Sequence, residues 1–203
     1  MKILAVSDME SRFLWEHFDP EAFRGVGLIL SCGDLKASYL SYLVTMIPAP
    51  LFYIHGNHDQ SYLRAPPSGC ECIDGRVVSC RGLRIAGLGG CKGSDPGSLY
   101  QYTEAQMEKR VRKLVSELKR DKALDIFLSH APARGLGDGV GFHEGFDCFS
   151  HIHEESKPRL HLFGHVHLSG NPVNRSAAYR RGGVTLYNCS GYRIIDLDDL
   201  SAQ

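Results

Sequence analysis

The sequence predicts a mixed α/β sandwich, and three features of its 203 residues support that fold class. Strand-like and helix-like segments alternate through the first half of the chain, which is typical of α/β proteins. Short strand-like segments separated by Gly-containing turns follow them and indicate hairpins. Two further strand-like runs close the chain. A chain of this length is usually one domain, so we expect residues 1–203 to form a single domain with its own core.

The first three predicted strands are the short apolar runs KILAV, LILSC and LFYIH. Between the second and third strands, helical spacing of apolar residues predicts a helix that ends at Pro48; these residues are Leu40, Leu43, Val44 and Ile47. The stretch CECIDGRVVSCRGLRIAGLGG then predicts short strands separated by turns at Asp74-Gly75 and Arg81-Gly82.

The clearest predicted helix runs from Thr103 to Lys119. Thr103 and Gln106 fit a capping box at its start. One face is apolar, formed by Met107, Val111, Leu114, Val115 and Leu118. The run DIFLS predicts a strand, residues 131–146 a Gly-rich loop, and residues 148–157 a helix. Three more apolar runs, RLHLF, GVTLYNCS and YRIIDLD, predict the remaining strands.

Composition narrows the range of partners. Lys and Arg total 23 and Asp and Glu total 23, so the net charge is zero and no basic stripe indicates nucleic acid. No apolar run reaches the ~18 residues of a membrane-spanning helix, and the first ten residues fit a strand better than a signal peptide. Seven Cys without framework spacing suit a reducing compartment, so we expect a cytoplasmic protein. Cys70 and Cys72 lack a second Cys pair that would complete a zinc site, so we interpret them as unpaired thiols.

Five of the apolar runs end in polar residues, and these carry the chemistry. They are Ser7-Asp8-Met9-Glu10, Gly33-Asp34, Gly56-Asn57-His58-Asp59, Ser129-His130 and Gly164-His165-Val166-His167. Ligands collect at the carboxyl ends of buried strands, so we expect these side chains to meet at one sheet edge. Carboxylate, amide and imidazole groups together form the ligand set of a two-metal hydrolytic centre. Singly, any strand-end Asp or His can also serve only to cap a loop.

The five motifs resemble, in the same order, those of the calcineurin-like metallophosphoesterases: D-x-H, G-D, G-N-H-[DE], a later H, and G-H-x-H. The resemblance extends from residue 8 to residue 167, and GNHD and GHVH directly after apolar runs are its most specific parts. Glu10 departs from it, since the family has His there. The resemblance implies two packed mixed β-sheets flanked by helices, in a four-layer α/β/β/α sandwich. It also implies a metal-dependent phosphoester hydrolase.

The resemblance assigns roles to individual residues. One divalent ion would be held by Asp8, Glu10, Asp34 and His167, and the other by Asp34, Asn57, His130 and His165. Manganese is favoured, with magnesium, iron and zinc as alternatives. A hydroxide bridging the two ions would attack phosphorus. His58 would contact the phosphate and protonate the leaving oxygen, since imidazole titrates near neutral pH. Asp59 is expected to hold its loop.

Glu10 leaves two alternatives open: it ligates a metal, or it turns away and leaves that metal short of a ligand. If it ligates, Asp8, Glu10 and Asp34 contribute three negative charges. Two divalent ions and one hydroxide would make the whole centre neutral. A neutral centre attracts phosphate less strongly, and an added carboxylate favours the harder ions manganese and magnesium over zinc.

Other residues are candidates for binding the substrate. We expect His143, in the loop after His130, to lie near the substrate, the alternative being a role in loop packing. Lys36 and Arg64 follow the second and third motifs, although charged residues at such positions are commonly only solvated. The stretch Gly87–Ser94 is similar to a phosphate cradle, but it lacks the Lys-Ser/Thr ending of a P-loop and leads into no helix. We therefore expect it to form a rim loop.

The sequence therefore predicts a hydrolase acting on a small phosphoester, with a phosphodiester as first choice and no nucleic-acid or membrane partner. A phosphomonoesterase or pyrophosphatase is the main enzymatic alternative. A degenerate member that binds metal or nucleotide without turnover is an alternative of another class, and Glu10 is the feature that favours it. Retention of Asn57, His58 and the later three His argues against loss of activity.

Overall fold

The structure is a computed structural model, and it describes residues 1–93, 97–118, 123–167 and 178–198. The strands are β1 (Lys2–Ser7), β2 (Val26–Ser31), β3 (Leu51–Tyr53), β4 (Glu71–Cys72), β5 (Val77–Cys80), β6 (Leu83–Leu88), β7 (Cys91–Lys92), β8 (Gln101–Tyr102), β9 (Ile126–Ser129), β10 (Leu160–Phe163), β11 (Ala178–Arg181), β12 (Val184–Asn188) and β13 (Gly191–Asp196). The α-helices are α1 (Arg12–Trp15), α2 (Ala37–Met46), α3 (Glu104–Leu118) and α4 (Phe149–Glu155). Short 3-10 turns cover Pro20–Phe23, Asp59–Leu63 and Gly141–His143.

Two large mixed sheets form the body of the fold. The first has the order β13-β1-β2-β3-β4, in which β1 to β4 are parallel and β13 is antiparallel to β1. The second has the order β11-β12-β10-β9-β6-β5, with parallel central strands and antiparallel strands at both edges. Parallel central strands buried on both faces explain why the predicted runs are almost continuously apolar.

Alternate residues of each strand enter different cores. Ile3 of β1 faces the layer between the two sheets, together with Leu28 and Ile126. Leu4, the next residue, packs instead with Leu40 on the helical side of the first sheet. A third core lies between the second sheet and helices α3 and α4, and it includes Met107, Val111, Phe127, Phe149 and Ile152. The layers are therefore helix, sheet, sheet and helix.

Most predicted elements are present within the described residues, with one difference in connectivity. Arg81-Gly82 does form a hairpin turn between β5 and β6, with both residues at positive φ. Asp74-Gly75 instead carries the chain from the first sheet to the second, because β4 pairs with β3. The capping box is observed, since the Thr103 amide donates to Gln106 Oε1 (2.8 Å) and the Gln106 amide to Thr103 Oγ1 (3.3 Å). Lys119 lies outside the described residues.

The prediction of one sheet edge for all five motifs is wrong in one respect. Strands β1, β2 and β3 belong to the first sheet, whereas β9 and β10 belong to the second. The sequence pattern marks where a strand ends but not which sheet it joins. No helix in the described ranges is long and apolar enough to cross a bilayer.

Candidate metal centre

The carboxyl ends of β1, β2 and β3 meet those of β9 and β10 at one rim of the sandwich. Glycine allows the motif loops to approach this closely. A Cβ on Gly56 would lie 2.0 Å from Asp34 Oδ1, and one on Gly33 would lie 2.3 Å from the Gly56 nitrogen. A Cβ on Gly164 would lie 1.9 Å from Ser7 Oγ. The glycines of the G-D, G-N-H and G-H-x-H motifs are therefore required by backbone packing around the site.

Three of the predicted ligands adopt an unusual backbone conformation. Asp8, Asp34 and His165 have φ values of 61°, 58° and 66°. Non-glycine residues in the left-handed region are uncommon and cluster at functional sites. Two of them are tied directly together, because the His165 amide donates to Asp8 Oδ1 (2.9 Å) and Oδ2 (3.0 Å). This hydrogen bond joins the first motif to the last across 157 residues of sequence.

Asp59 and Asp34 join the second motif to the third. Asp59 Oδ2 accepts hydrogen bonds from the amides of Asp34 (2.9 Å) and Gly56 (2.7 Å). The His58 amide donates in turn to Asp34 Oδ1 (2.8 Å). Asp59 is buried and binds backbone amides of the loop after β2 and of the loop after β3. This fits the structural role expected from the sequence.

His130 is completely buried, and each of its ring nitrogens has a defined partner. Its Nδ1 lies 2.7 Å from the Cys32 carbonyl oxygen, which can only accept, so this nitrogen carries a proton. Its Nε2 lies 3.1 Å from Asn57 Oδ1 and 3.3 Å from Asp34 Oδ2. Burial alone would lower the pKa of His130, but the hydrogen bond and charge of Asp34 raise it to about 9. In the metal-free protein, a proton on Nε2 therefore occupies the position facing Asp34.

His165 is arranged in the opposite sense. Its Nε2 lies 2.6 Å from the carbonyl oxygen of Phe142, so Nε2 donates and Nδ1 keeps its lone pair. Burial and the positive charge of His130 lower the pKa of His165 to about 4, so the ring is neutral near pH 7. Histidine ligands usually donate their second N–H to a carbonyl or carboxylate, which fixes the tautomer. Both buried histidines show this arrangement, with Cys32 and Phe142 as the acceptors.

These donors fit a divalent cation. One ligand atom each from Asp34, His130 and His165 lies within 4.8 Å of the others, and Asn57 adds a neutral oxygen beside His130. Burial would by itself raise the pKa of Asp34, but the hydrogen bond and charge of His130 lower it, so the carboxylate is ionised. Imidazole nitrogens with carboxylate and amide oxygens suit manganese, iron or zinc. This group contains all four residues predicted for the second ion.

The residues predicted for the first ion are less tightly grouped. The Asp8 side chain is completely buried, whereas the His167 side chain is 62% exposed, and His167 Nε2 lies 3.9 Å from Asp8 Oδ1. Burial raises the pKa of Asp8 above its ordinary value. Glu10 faces the same cavity as Asp8 and Asp34, but its two carboxylate oxygens each lie 3.4 Å from Lys36 Nζ. The structure thus places Glu10 near the site while pairing it with Lys36.

An open cavity of about 400 Å³ lies beside these carboxylates. Its walls are formed by Asp8, Glu10, Asp34, Leu35, Lys36, His58, Asp59 and Ser61. His58 is exposed here, where a substrate could reach it. His143 is not among the described residues that form this wall, and its ring centre lies 5.2 Å from that of His165. Arg64 is exposed and does not contribute to the cavity wall.

Backbone amides of the Gly-rich stretch at the end of β6 and after it donate hydrogen bonds to other groups of the protein. The amides of Gly89, Gly90 and Cys91 donate to Asp74 Oδ1 (2.7 Å), the His55 carbonyl (2.8 Å) and the Tyr100 carbonyl (3.0 Å). They are therefore not available to hold a phosphate. The stretch is not a continuous loop as expected, because its first two residues end β6 and Cys91–Lys92 form β7. Ser94 lies outside the described residues.

Sequence reasoning did not identify Cys32 and Phe142 as parts of the site. Both act through backbone carbonyls, and a carbonyl carries no side-chain signature in a sequence. His55 has no motif context in the sequence, which favours a surface or packing role, and in the structure its Nδ1 lies 3.2 Å from Asp74 Oδ2. Burial alone would lower the pKa of His55, but the hydrogen bond to Asp74 helps to raise it to about 9. A His and Asp separated along the chain give no local pattern.

Because His130 is protonated at neutral pH in the metal-free protein, we predict that metal binding releases a proton. Below pH 9 the ion must displace the proton from Nε2, so affinity should fall by up to about tenfold per pH unit as the pH decreases. His165 is neutral down to about pH 4 and adds no proton over the neutral range. Calorimetric titration of Mn²⁺ at pH 7.5, in buffers of different ionisation enthalpy, should count about one proton released per ion at this position. His130→Gln should remove this release, and a proton count of zero for the wild type would contradict the assignment.

Comparison with known proteins agrees with this geometry. A model of the family described as calcineurin-like phosphoesterase matches residues 1–169. No curated protein matches the sequence. Among solved structures, TT1561 of Thermus thermophilus is 20% identical with a TM-score of 0.71, over 98% of this chain and 95% of that one. The calcineurin-like phosphoesterase YfkN from Bacillus subtilis is 11% identical with a TM-score of 0.54, over 94% and 81% of the two chains.

At these identities the two structures show likeness of fold alone, and they confirm the predicted sandwich of two mixed sheets flanked by helices. The family match extends over most of the chain and includes all five motifs. It also confirms the resemblance noted in the sequence. The chain therefore belongs to the calcineurin-like phosphoesterases, a family of hydrolases that depend on divalent metals.

Proposed function

We propose that this chain hydrolyses phosphodiesters at a centre of two divalent metals. The observation that carries the proposal is the convergence of Asp34, His130 and His165, with Asp8, Glu10 and His167 beside them. Asp34 lies between the two groups, where its two carboxylate oxygens suit a bridging ligand. When bound, the ions would neutralise the anionic substrate and supply hydroxide near neutral pH.

The residues of the chain supply positioning and proton transfer. Asp59 fixes the loops that present Asp34 and Asn57, and the carbonyls of Cys32 and Phe142 fix the ring orientations of the two buried histidines. His58 is bound to Asp34 only through its backbone amide, so its imidazole is free to reach the cavity. We assign His58 the role of donating a proton to the leaving oxygen.

The carboxylates around the cavity favour a diester over a monoester. The acidic residues Asp8, Glu10, Asp34 and Asp59 line it. The carboxylates of the first three would cancel the charge of two ions with one hydroxide. A phosphomonoester carries close to two negative charges at pH 7, since its second pKa is about 6. A diester carries one, so the carboxylates repel it less, whereas the Lys36 ammonium in the same wall attracts both esters. We infer that a small phosphodiester is the preferred substrate, with a monoester or pyrophosphate as the enzymatic alternative.

The experiment that tests this function begins with metal analysis of the purified protein. The metal-free protein is then loaded separately with Mn, Mg, Zn and Fe and assayed on a panel of diesters, monoesters and pyrophosphate. We expect turnover with Mn and a higher kcat/KM for diesters than for matched monoesters. Full metal loading without turnover of any ester would favour the non-catalytic alternative, which Glu10 alone among the motif residues supports.

Glu10 is tested by changing its charge. If it ligates, wild type should be more active with Mn or Mg than with Zn, since carboxylate ligands favour harder ions. Glu10→His should tighten Zn binding, whereas Glu10→Gln should mainly weaken the ion at this position. Calorimetric titration of Mn and Zn into the three metal-free proteins separates these outcomes. Indistinguishable titrations would show that Glu10 is not a ligand.

A further inference from the structure

Lys36 lies in a strongly acidic cavity wall. Asp8, Glu10, Asp34 and Asp59 line this cavity, and the side chains of Asp8 and Asp59 are themselves buried. Among the described residues that form it, Lys36 is the one Lys or Arg. In this part of the structure, the Lys36 ammonium is therefore the fixed positive charge that the wall offers to an anionic substrate.

The backbone of Lys36 is held firmly next to the metal ligands. It is the N-cap residue of α2, and its carbonyl accepts from the amides of Tyr39 (3.0 Å) and Leu40 (3.3 Å). The preceding Leu35 is buried, and its carbonyl accepts from the hydroxyl of Tyr62. Lys36 follows Asp34 by two residues, so the position of its Cα relative to the centre is fixed.

The tip of Lys36 is, in contrast, free to move. The side chain is 75% exposed, and Nζ lies 3.4 Å from both oxygens of Glu10. Tight charge-assisted hydrogen bonds are about 2.7–2.9 Å long, and exposed ion pairs contribute little to stability. Lys36 can therefore leave Glu10 at low cost, and it would do so most readily when Glu10 binds a metal ion.

We propose that Lys36 binds a phosphate oxygen of the substrate and supplies the positive charge that the Glu10 carboxylate removes from the centre. This inference rests on the proposed function and identifies a binding residue for its anionic substrate. The Asp8, Glu10 and Asp34 carboxylates would leave a loaded centre neutral, and the Lys36 ammonium returns it to one positive charge. Glu10 and Lys36 act as a matched pair: the first adjusts the metal preference, and the second restores phosphate affinity.

The direct test uses inorganic phosphate as the probe. Calorimetry measures its binding to Mn-loaded wild type, Lys36→Met, Lys36→Arg and the control Lys113→Met, which removes the same charge from the exposed face of α3. Lys36→Met keeps most of the stem and removes the charge. It should weaken phosphate binding about tenfold, between the values that Coulomb's law gives for a contact pair in water and near a protein surface. Lys36→Arg should bind close to wild type, and Lys113→Met should equal it.

Kinetics and metal titration separate phosphate binding from metal loading. With a nitrophenyl diester, Lys36→Met should raise KM by about tenfold with little change in kcat, because a contact made equally in ground and transition states affects KM alone. Mn²⁺ affinity of the metal-free protein should not fall, because Lys36 competes with the ion for Glu10.

A double-mutant cycle tests the pairing with Glu10. In a Glu10→His background the centre has already lost one negative charge, so the cost of Lys36→Met in phosphate affinity should shrink to about threefold or less. An equal cost in both backgrounds would overturn the pairing. Unchanged phosphate affinity in Lys36→Met, or an equal loss in Lys113→Met, would overturn the binding role.

Failure of the proposed function and failure of the inference about Lys36 give different experimental results. If Mn-loaded wild type hydrolyses no ester but loses phosphate affinity in Lys36→Met, then Lys36 is an anion-binding residue of a non-catalytic protein. If wild type hydrolyses diesters and Lys36→Met matches it in KM and phosphate affinity, only the inference about Lys36 fails. The inference about Lys36 also fails if the Mn-loaded wild type binds no phosphate.

Discussion

Replacing Asp34 by Asn is expected to abolish turnover and to remove most of the bound metal. The change removes the carboxylate charge that both ions would share. The loss of metal affinity should therefore exceed the 10–100-fold typical of a residue that only supports a ligand. Metal analysis after purification and titration of the metal-free variant measure this loss. The diester assay measures turnover.

The fold of Asp34→Asn should be retained for a reason visible in the structure. Asp34 raises the pKa of the buried His130. Without that charge, His130 can release its proton rather than remain as an unpaired buried cation. The Asn side-chain oxygen can still accept from the His58 amide. Circular dichroism should match wild type, and Asp147→Asn, an exposed carboxylate change, serves as the control. A variant that keeps two metals and a near-normal rate would exclude the bridging role.

Replacing His58 by Ala is expected to slow diester hydrolysis by roughly 10²–10⁴-fold, the usual contribution of general acid–base catalysis. Metal content should stay at the wild-type level, because His58 contacts Asp34 through its backbone amide, which Ala retains. His17→Ala, which removes an exposed imidazole outside the cavity wall, should behave as wild type.

The leaving group distinguishes proton donation from positioning. A nitrophenyl leaving group needs little protonation, so His58→Ala should lose much less rate on a nitrophenyl diester than on an alkyl diester. Comparison of kcat for the two substrates gives the result directly. Equal losses on both would mean that His58 orients the phosphate and does not protonate the leaving oxygen.

The local elements and the motif residues were predictable from the sequence because their signals are local. Short apolar runs ending at Asp34, Asn57 and His130 indicate buried strands with polar carboxyl ends, and the structure has β2, β3 and β9 there. The capping box at Thr103 involves residues only three apart. The order of the motifs also predicted the family, which the match over residues 1–169 confirms. The roles assigned to individual ligands stay predictions until metal is measured.

The features that only the tertiary structure decided involve residues that are far apart in the chain. The sequence marks the ends of five strands but cannot show that they come from two sheets, because strand pairing leaves no local pattern. The ring orientations of His130 and His165 depend on the carbonyls of Cys32 and Phe142, which any residue at those positions would supply. The pairing of Glu10 with Lys36 bridges 26 residues and follows from where α2 begins. The sequence alone therefore determined the family and the candidate residues of the site, whereas the charge and geometry around each of them came from packing.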